Sequence, residues 1–364
     1  MTTVSFDGQY VCLDGKRTYA GRVYDGHPVE GLLFNVRAVQ AIFDDAVPQT
    51  SANWAYPDTG AWDPDRNTAE FCAALAHWRD HGVLAVTVNL QGGGPLYVPE
   101  INRHYDNNGF TPEGELKPAY ADRLARVIRR TDALGMVTIV GFFYWTMLLR
   151  MANADAIWRA AREACTFLAS CGHRNVLVEL ANEIDVVVDQ TPYAIFRPER
   201  QHEMLSALKA EFPSLLFSTS GGGAEVDTGR GMPPPSLVRT ADYVLLHGNG
   251  LRPLQLAAAL EAVQSMPSYF LAPKPIIINE DSPALPNLEV AWTHGVSWGY
   301  YDQGWHGQGA DPWEDYVPRP RYRDDAPWAA LSGYQTPPVN WGINTPFKRA
   351  FFERLSQITG VGAG

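Results

Sequence analysis

Eight short apolar runs recur along the chain, at residues 32–36, 83–90, 136–144, 175–181, 215–219, 243–246, 275–279 and 296–300. They are nearly continuous and do not alternate with polar residues, the pattern of parallel strands buried on both faces. Between them apolar residues recur at helical spacing: Phe71, Leu75 and Trp78; Tyr120, Leu124 and Ile128; Ile157, Ala161, Cys165 and Leu168; Leu205, Leu208 and Phe212. Start and stop signals flank these stretches. Asn67-Thr-Ala-Glu70 reads as a capping box, Asn153 as an N-cap, and Pro118, Pro198 and Pro253 as helix openers. Gly82, Gly135 and Gly172 close three of them. Further helices are predicted at about 288–294 and 346–358.

Eight strands, most followed by a helix, predict an α/β fold that closes as a (β/α)8 TIM barrel, with a doubly wound open sheet as the structural alternative. Residues 1–30 differ: short strand-like runs with Asp7-Gly8 and Asp14-Gly15 turns predict a small N-terminal β-hairpin cap. No low-complexity linker or repeat divides residues 1–364, which read as one domain. The long segments 38–67, 91–117 and 301–345 then fall on the C-terminal rim of the barrel, where this fold carries its functional loops.

Composition narrows the partners. With 46% hydrophobic, 12% aromatic and 19% charged residues, the chain has the content of a large packed core and not of a disordered segment. Twenty-nine basic against 40 acidic residues leave a net charge of −11, so no nucleic-acid or anionic-membrane partner is expected. Met1-Thr-Thr-Val-Ser-Phe-Asp7 has neither a basic nor an apolar region of a secretory signal, an expectation of a cytoplasmic protein, or of a secreted one if a signal has been removed. Cys12, Cys72, Cys165 and Cys171 show no metal spacing and read as reduced core residues.

In a barrel enzyme the chemistry sits where strands end. The fourth strand ends Glu179-Leu-Ala-Asn182-Glu183 and the seventh ends Asn279-Glu280. Two strands separate them, so Glu183 and Glu280 face each other across the barrel mouth. Opposed carboxylates are what glycoside hydrolysis requires, one to protonate the leaving oxygen and one to attack the anomeric carbon or activate water. Glu179, four residues earlier, reads as a structural carboxylate bonded to an arginine.

Residues 175–183, Asn-Val-Leu-Val-Glu-Leu-Ala-Asn-Glu, together with Pro-Ile-Ile-Ile-Asn-Glu at 275–280, resemble the retaining β-glycosidases of clan A, the (β/α)8 enzymes that include the cellulase-like family 5 glycoside hydrolases. The resemblance implies Glu183 as acid/base, Glu280 as nucleophile, and Asn182 on the hydroxyl beside the anomeric carbon. It also implies that Trp298, in the eighth strand, is the aromatic platform under the sugar. The chain departs from family 5 in three places. The second strand lacks its arginine and ends at Gln91, which leaves Arg37 after the first strand as the candidate. The third strand ends Phe142-Phe-Tyr144-Trp145 in place of a histidine, and the sixth ends His247-Gly-Asn249, where His247 is positioned to contact the nucleophile. Gln91, Asn249 and Trp145 are further candidate sugar contacts.

Trp54, Trp62, Trp145 and Trp305 lie in rim segments; each alone suits loop packing, while the group favours at least one sugar contact. Trp78 and Trp158 fall on helix faces and read as core. The triple glycines at 92–94 and 221–223 lack a phosphate-loop continuation and read as tight turns. None of the five lysines ends a strand, which disfavours Schiff-base chemistry. The expected function is therefore a retaining β-glycoside hydrolase acting on a soluble carbohydrate, without cofactor or metal. The alternatives are a catalytically silent barrel that binds carbohydrate or protein, and a metal-dependent barrel hydrolase drawing on His247, Glu280, Asp281, Asp302 and His306.

Overall fold

A computed structural model describes residues 1–93, 104–183, 185–186, 193–303 and 333–362. Three short antiparallel strands open the chain, β1 (Val4–Asp7), β2 (Tyr10–Leu13) and β3 (Lys16–Arg17), followed by the hairpin β4 (Val23–Tyr24) and β5 (His27–Pro28). This is the expected cap, and the left-handed φ of 51° at Asp14 followed by 73° at Gly15 makes its turn.

Eight strands follow: β6 (Asn35–Arg37), β7 (Ala85–Asn89), β8 (Val137–Tyr144), β9 (Val176–Asn182), β10 (Leu216–Ser218), β11 (Val244–His247), β12 (Ile276–Glu280) and β13 (Gly299–Tyr300). All eight expected strand positions are occupied, and every pairing among them is parallel. Six form one sheet in the order β10-β9-β8-β7-β6-β13, and β11 pairs with β12. Isolated parallel bridges, Gly223 to His247 and Ile277 to Ser297, lie between the pair and the sheet's two ends. The architecture is an α/β barrel-like arrangement with helices alternating along the chain.

Period-two alternation sorts the strand residues. Leu33, Ala85, Val137, Ile139, Leu177, Leu245 and Ile277 cluster on the inner side, while Val36, Val86, Val140, Val178, Leu246 and Ile278 pack outward with the helices. The inner cluster sits towards the N-terminal ends of the strands. Val4 and Val11 of the cap join it, so the cap is its floor. Burying each of those valines contributes ~1.5–3 kcal/mol. The floor leaves the C-terminal ends as the open mouth.

Helix boundaries correct two expectations: Pro198 lies in a turn before the helix Gln201–Glu211 and does not open it, and Asn67 does not cap the helix before the second strand. The second-strand helix spans Pro64–Asp80 and is capped by Asp63, whose carboxylate accepts from the amides of Asp65 and Arg66. Asn67 is not a cap: it is buried and donates to the carbonyl of Gln40 (2.7 Å). A proline at the first turn and an acidic cap outcompete the downstream box. Asn153 caps Ala154–Ser170 as expected. A short helix, Pro235–Thr240, precedes the sixth barrel strand with no apolar periodicity long enough to reveal it. No helix among the described residues is long and apolar enough to cross a membrane.

Candidate active site

Two backbone features deliver the site. Glu183 has a φ of 55°, left-handed for a non-glycine residue. Successive strand side chains point to opposite faces, so the break at Glu183 lets two consecutive residues, Asn182 and Glu183, serve one mouth. Such a conformation costs on the order of 1 kcal/mol and persists where surrounding structure enforces it. The register of β11 against β12 slips between Leu246 and His247, which places Glu280 opposite His247. Asn279, the residue skipped, points inward and donates to Glu179 Oε2 (3.0 Å).

Arg37, Glu179, Glu183, His247 and Glu280 form one cluster. Arg37 Nε pairs with Glu280 Oε2 at 2.7 Å, its Nη1 approaches Glu179 Oε2 at 3.8 Å, and its Nη2 donates to Asn182 Oδ1. His247 Nδ1 lies 3.6 Å from Glu183 Oε1 and 3.6 Å from Glu280 Oε2, while its Nε2 lies 3.7 Å from Glu179 Oε1. Ser220 donates to Glu179 Oε1 (2.6 Å), and Asn249 Nδ2 donates to Glu280 Oε1 (2.7 Å). One oxygen each of Glu183 and Glu280 and a ring nitrogen of His247 all lie within 4.8 Å of one another.

Charge follows from this geometry. Both ring nitrogens of His247 face carboxylate oxygens, an arrangement that favours the imidazolium over either neutral tautomer. Burial opposes that charge, but Glu280, Glu179 and Glu183 outweigh it and push the histidine up to about 10. Burial pushes the Glu280 carboxyl above its usual range, and Arg37, His247 and Asn249 pull it back. The arrangement favours the proton on His247, which as an imidazolium can offer one to the carboxylates on each side. Glu179 is fully buried, yet His247, Arg37 and Ser220 overcome that burial and lower its pKa. Its approach to Arg37 (3.8 Å) matches the arginine neighbour expected of it.

Several candidate residues lie elsewhere. Trp298 is not under the mouth. It is fully buried between strand and helix, packs on Phe351, and donates through Nε1 to Asp281 Oδ2 (2.7 Å). The reason is parity: Ser297 serves the inner side, bonding the Leu33 amide, so Trp298 must face outward. Tyr301, three residues later, stands in the site with its ring 5.6 Å from the Arg37 guanidinium. Gln91 is also no free contact. It is buried, its Nε2 donates to Asn108 (3.1 Å) and its Oε1 accepts from the Tyr144 amide (3.0 Å), so it ties the second rim loop to β8.

Trp145 starts a short helix and is half-buried against the core. Its neighbour Tyr144 is the residue brought to the site. It stands opposite Asn182 in the β8–β9 register, and burial, then Glu183, push its phenol well above the usual range. Trp54 is buried among Phe43, Tyr105 and Met147, and its Nε1 donates to Asp45 (2.7 Å). Trp62 stacks on Tyr56, so both tryptophans pack the first rim loop. Trp305 and His306 lie outside the described residues. Tyr301 was legible only through strand parity, which marks 297, 299 and 301 as inward, whereas Tyr144 has the parity opposite to the inward Val137 and Ile139 and alternation does not mark it.

Among the described residues, Glu183, His247 and Glu280 are the set spaced to hold a metal ion.

No protein-family model and no curated protein matches the chain. Solved structures do. A proposed glycoside hydrolase from Bacteroides vulgatus superposes at a TM-score of 0.50 and 14% identity over 82% of this chain, which spans about half (54%) of that protein. The β-mannanase of the blue mussel Mytilus edulis is similar at a TM-score of 0.49 and 12% identity, with 82% and 90% of the two chains covered. The endo-1,4-β-D-mannanase of Thermotoga petrophila gives 0.48 and 13%, with 89% and 99% covered. The chain has the barrel-like α/β fold found in glycoside hydrolases.

Proposed function

We propose that the chain is a retaining β-glycoside hydrolase, with its eight parallel strands closed into a (β/α)8 barrel through the 223–247 and 277–297 bridges. The observation that carries this reading is the approach of Glu183 and Glu280 to within 4.8 Å, oxygen to oxygen. Retaining pairs stand ~5–5.5 Å apart, whereas inverting pairs leave ~6.5–9.5 Å for a water. The nucleophile role goes to Glu280, because Arg37 and Asn249 hold it with one oxygen each and favour its ionised form. The acid/base role goes to Glu183, which is more exposed (17% of its side chain) and can exchange protons with solvent.

Glu280 attacks the anomeric carbon as Glu183 protonates the departing oxygen; Glu183 then deprotonates the water that releases the sugar. Asn182, held by Arg37 through its oxygen, keeps its Nδ2 for the neighbouring hydroxyl. Glu280→Ala tests the reading on aryl β-glycosides. Loss of hydrolysis, with azide restoring turnover and giving the glycosyl azide of inverted configuration, is the expected result. Full activity in that variant, or an inverted sugar product from wild type, refutes it. Persistence of wild-type activity in excess chelator separates it from a metal-dependent hydrolase.

A further inference from the structure

We infer that Asn249 sets which sugars the site accepts, by offering its side-chain oxygen to one hydroxyl of the sugar beside Glu280; this rests on the glycosidase reading above. The amide orientation is forced. Nδ2 faces Glu280 Oε1 at 2.7 Å, and the flipped amide would set two acceptors against each other. Oδ1 therefore points away from the carboxylate, and it is buried with no hydrogen-bond partner. A buried acceptor left unpaired costs ~1–3 kcal/mol, so this atom is stabilised by whatever donor the ligand brings.

The backbone that carries the residue is held in place. Gly223 packs so closely on the Asn249 carbonyl that a β-carbon there would collide with it. The Ala224 amide bonds the His247 carbonyl (3.0 Å), and the Leu251 amide bonds Gly248 (2.9 Å), closing the turn that carries Asn249.

Asn182 supplies the complement. Its Oδ1 is taken by Arg37, and its Nδ2 is buried without a partner. The nucleophile thus stands between an unpaired acceptor on Asn249 and an unpaired donor on Asn182. A hydroxyl satisfies the Asn249 acceptor. A deoxy, O-methyl or carboxylate group does not, and the carboxylate is repelled as well. The ligand class is a neutral glycoside with a free hydroxyl at that position, rejected when the hydroxyl is missing because a polar group stays unpaired.

The test compares wild type with Asn249→Ala on an aryl β-glycoside and its 2-, 3-, 4- and 6-deoxy analogues, with Asn249→Ser as a second variant should the first fail to fold. In wild type the analogue lacking the hydroxyl that faces Asn249 is expected to lose about tenfold in kcat/KM, apart from the separate loss at the hydroxyl that Asn182 holds. In the variant, kcat falls for every substrate because Glu280 loses a donor, and the hydroxyl-to-deoxy ratio at that one position collapses to near unity. A uniform fall with all ratios unchanged overturns the inference and leaves Asn249 as a positioning residue for Glu280. Calorimetric Kd values for the same glycosides decide the case in which wild type turns nothing over. A hydroxyl-dependent affinity that vanishes in Asn249→Ala then sustains the inference while the glycosidase reading falls. Equal Kd values, or no binding, overturn it.

Discussion

His247→Gln removes one proton-bearing ring and keeps a polar side chain of similar reach. The wild-type imidazolium faces Glu179 on one side and Glu183 and Glu280 on the other, with Arg37 as the second cation of the cluster. Its pKa rises from 6.5 to about 10 on folding, a difference of 3.5, which corresponds to an upper bound of about 5 kcal/mol. A group raised in the folded state contributes fully below its unfolded pKa and loses that contribution as pH climbs through the folded one. The stability advantage of wild type over the variant should thus be largest below pH 6.5. It should shrink by up to about 1.4 kcal/mol per pH unit and vanish near pH 10. Urea unfolding of both proteins across that range measures it, since tyrosines and lysines titrate in both and cancel in the difference. A difference that stays level from pH 6 to 10, or an imidazole resonance showing a neutral ring at pH 8, would refute the reasoning.

Arg37→Met removes one of the two cations shared by Glu280 and Glu179; breaking one side of a buried pair should cost about 3–5 kcal/mol in denaturant unfolding. It should also move the acid limb of the pH–rate profile upward, as a carboxylate loses a neighbouring positive charge. Trp298→Ala should cost ~3–5 kcal/mol of stability with KM unchanged under conditions where the variant is folded, because the ring lies in the core; a selective rise in KM would return it to the sugar site. Asp281 is buried and its carboxyl is pushed from 3.8 to about 7, against the pull of Trp298, Asn287 and Ser282. Its contribution is complete below pH 3.8 and lost as pH rises through 7, so Asp281→Asn should gain on wild type by up to about 4 kcal/mol across that window. Parallel stability curves for the two proteins would contradict this.

Much of the architecture was legible because its signals are local. Continuous apolar runs mark strands buried on both faces, and all eight such runs became strands or strand-like bridges. Asn153 and Pro118 opened their helices for reasons contained within a turn of chain. Asn67 failed because the competing Asp63-Pro64 start was equally local and stronger. Trp298 failed differently: a β-strand residue's face depends on a one-residue parity that motif matching ignores.

The sequence by itself determined a parallel strand–helix chain with acidic residues where two of its strands run out, because strand character and strand termini depend on neighbouring residues. Only the tertiary structure decided that Arg37, from the first barrel strand, would reach Glu280 and Asn182, or that one histidine would touch three glutamates. Those contacts join residues up to 243 positions apart. They depend on the register slip at His247 and the left-handed turn at Glu183, backbone states that no local preference of His or Glu favours and that packing alone enforces.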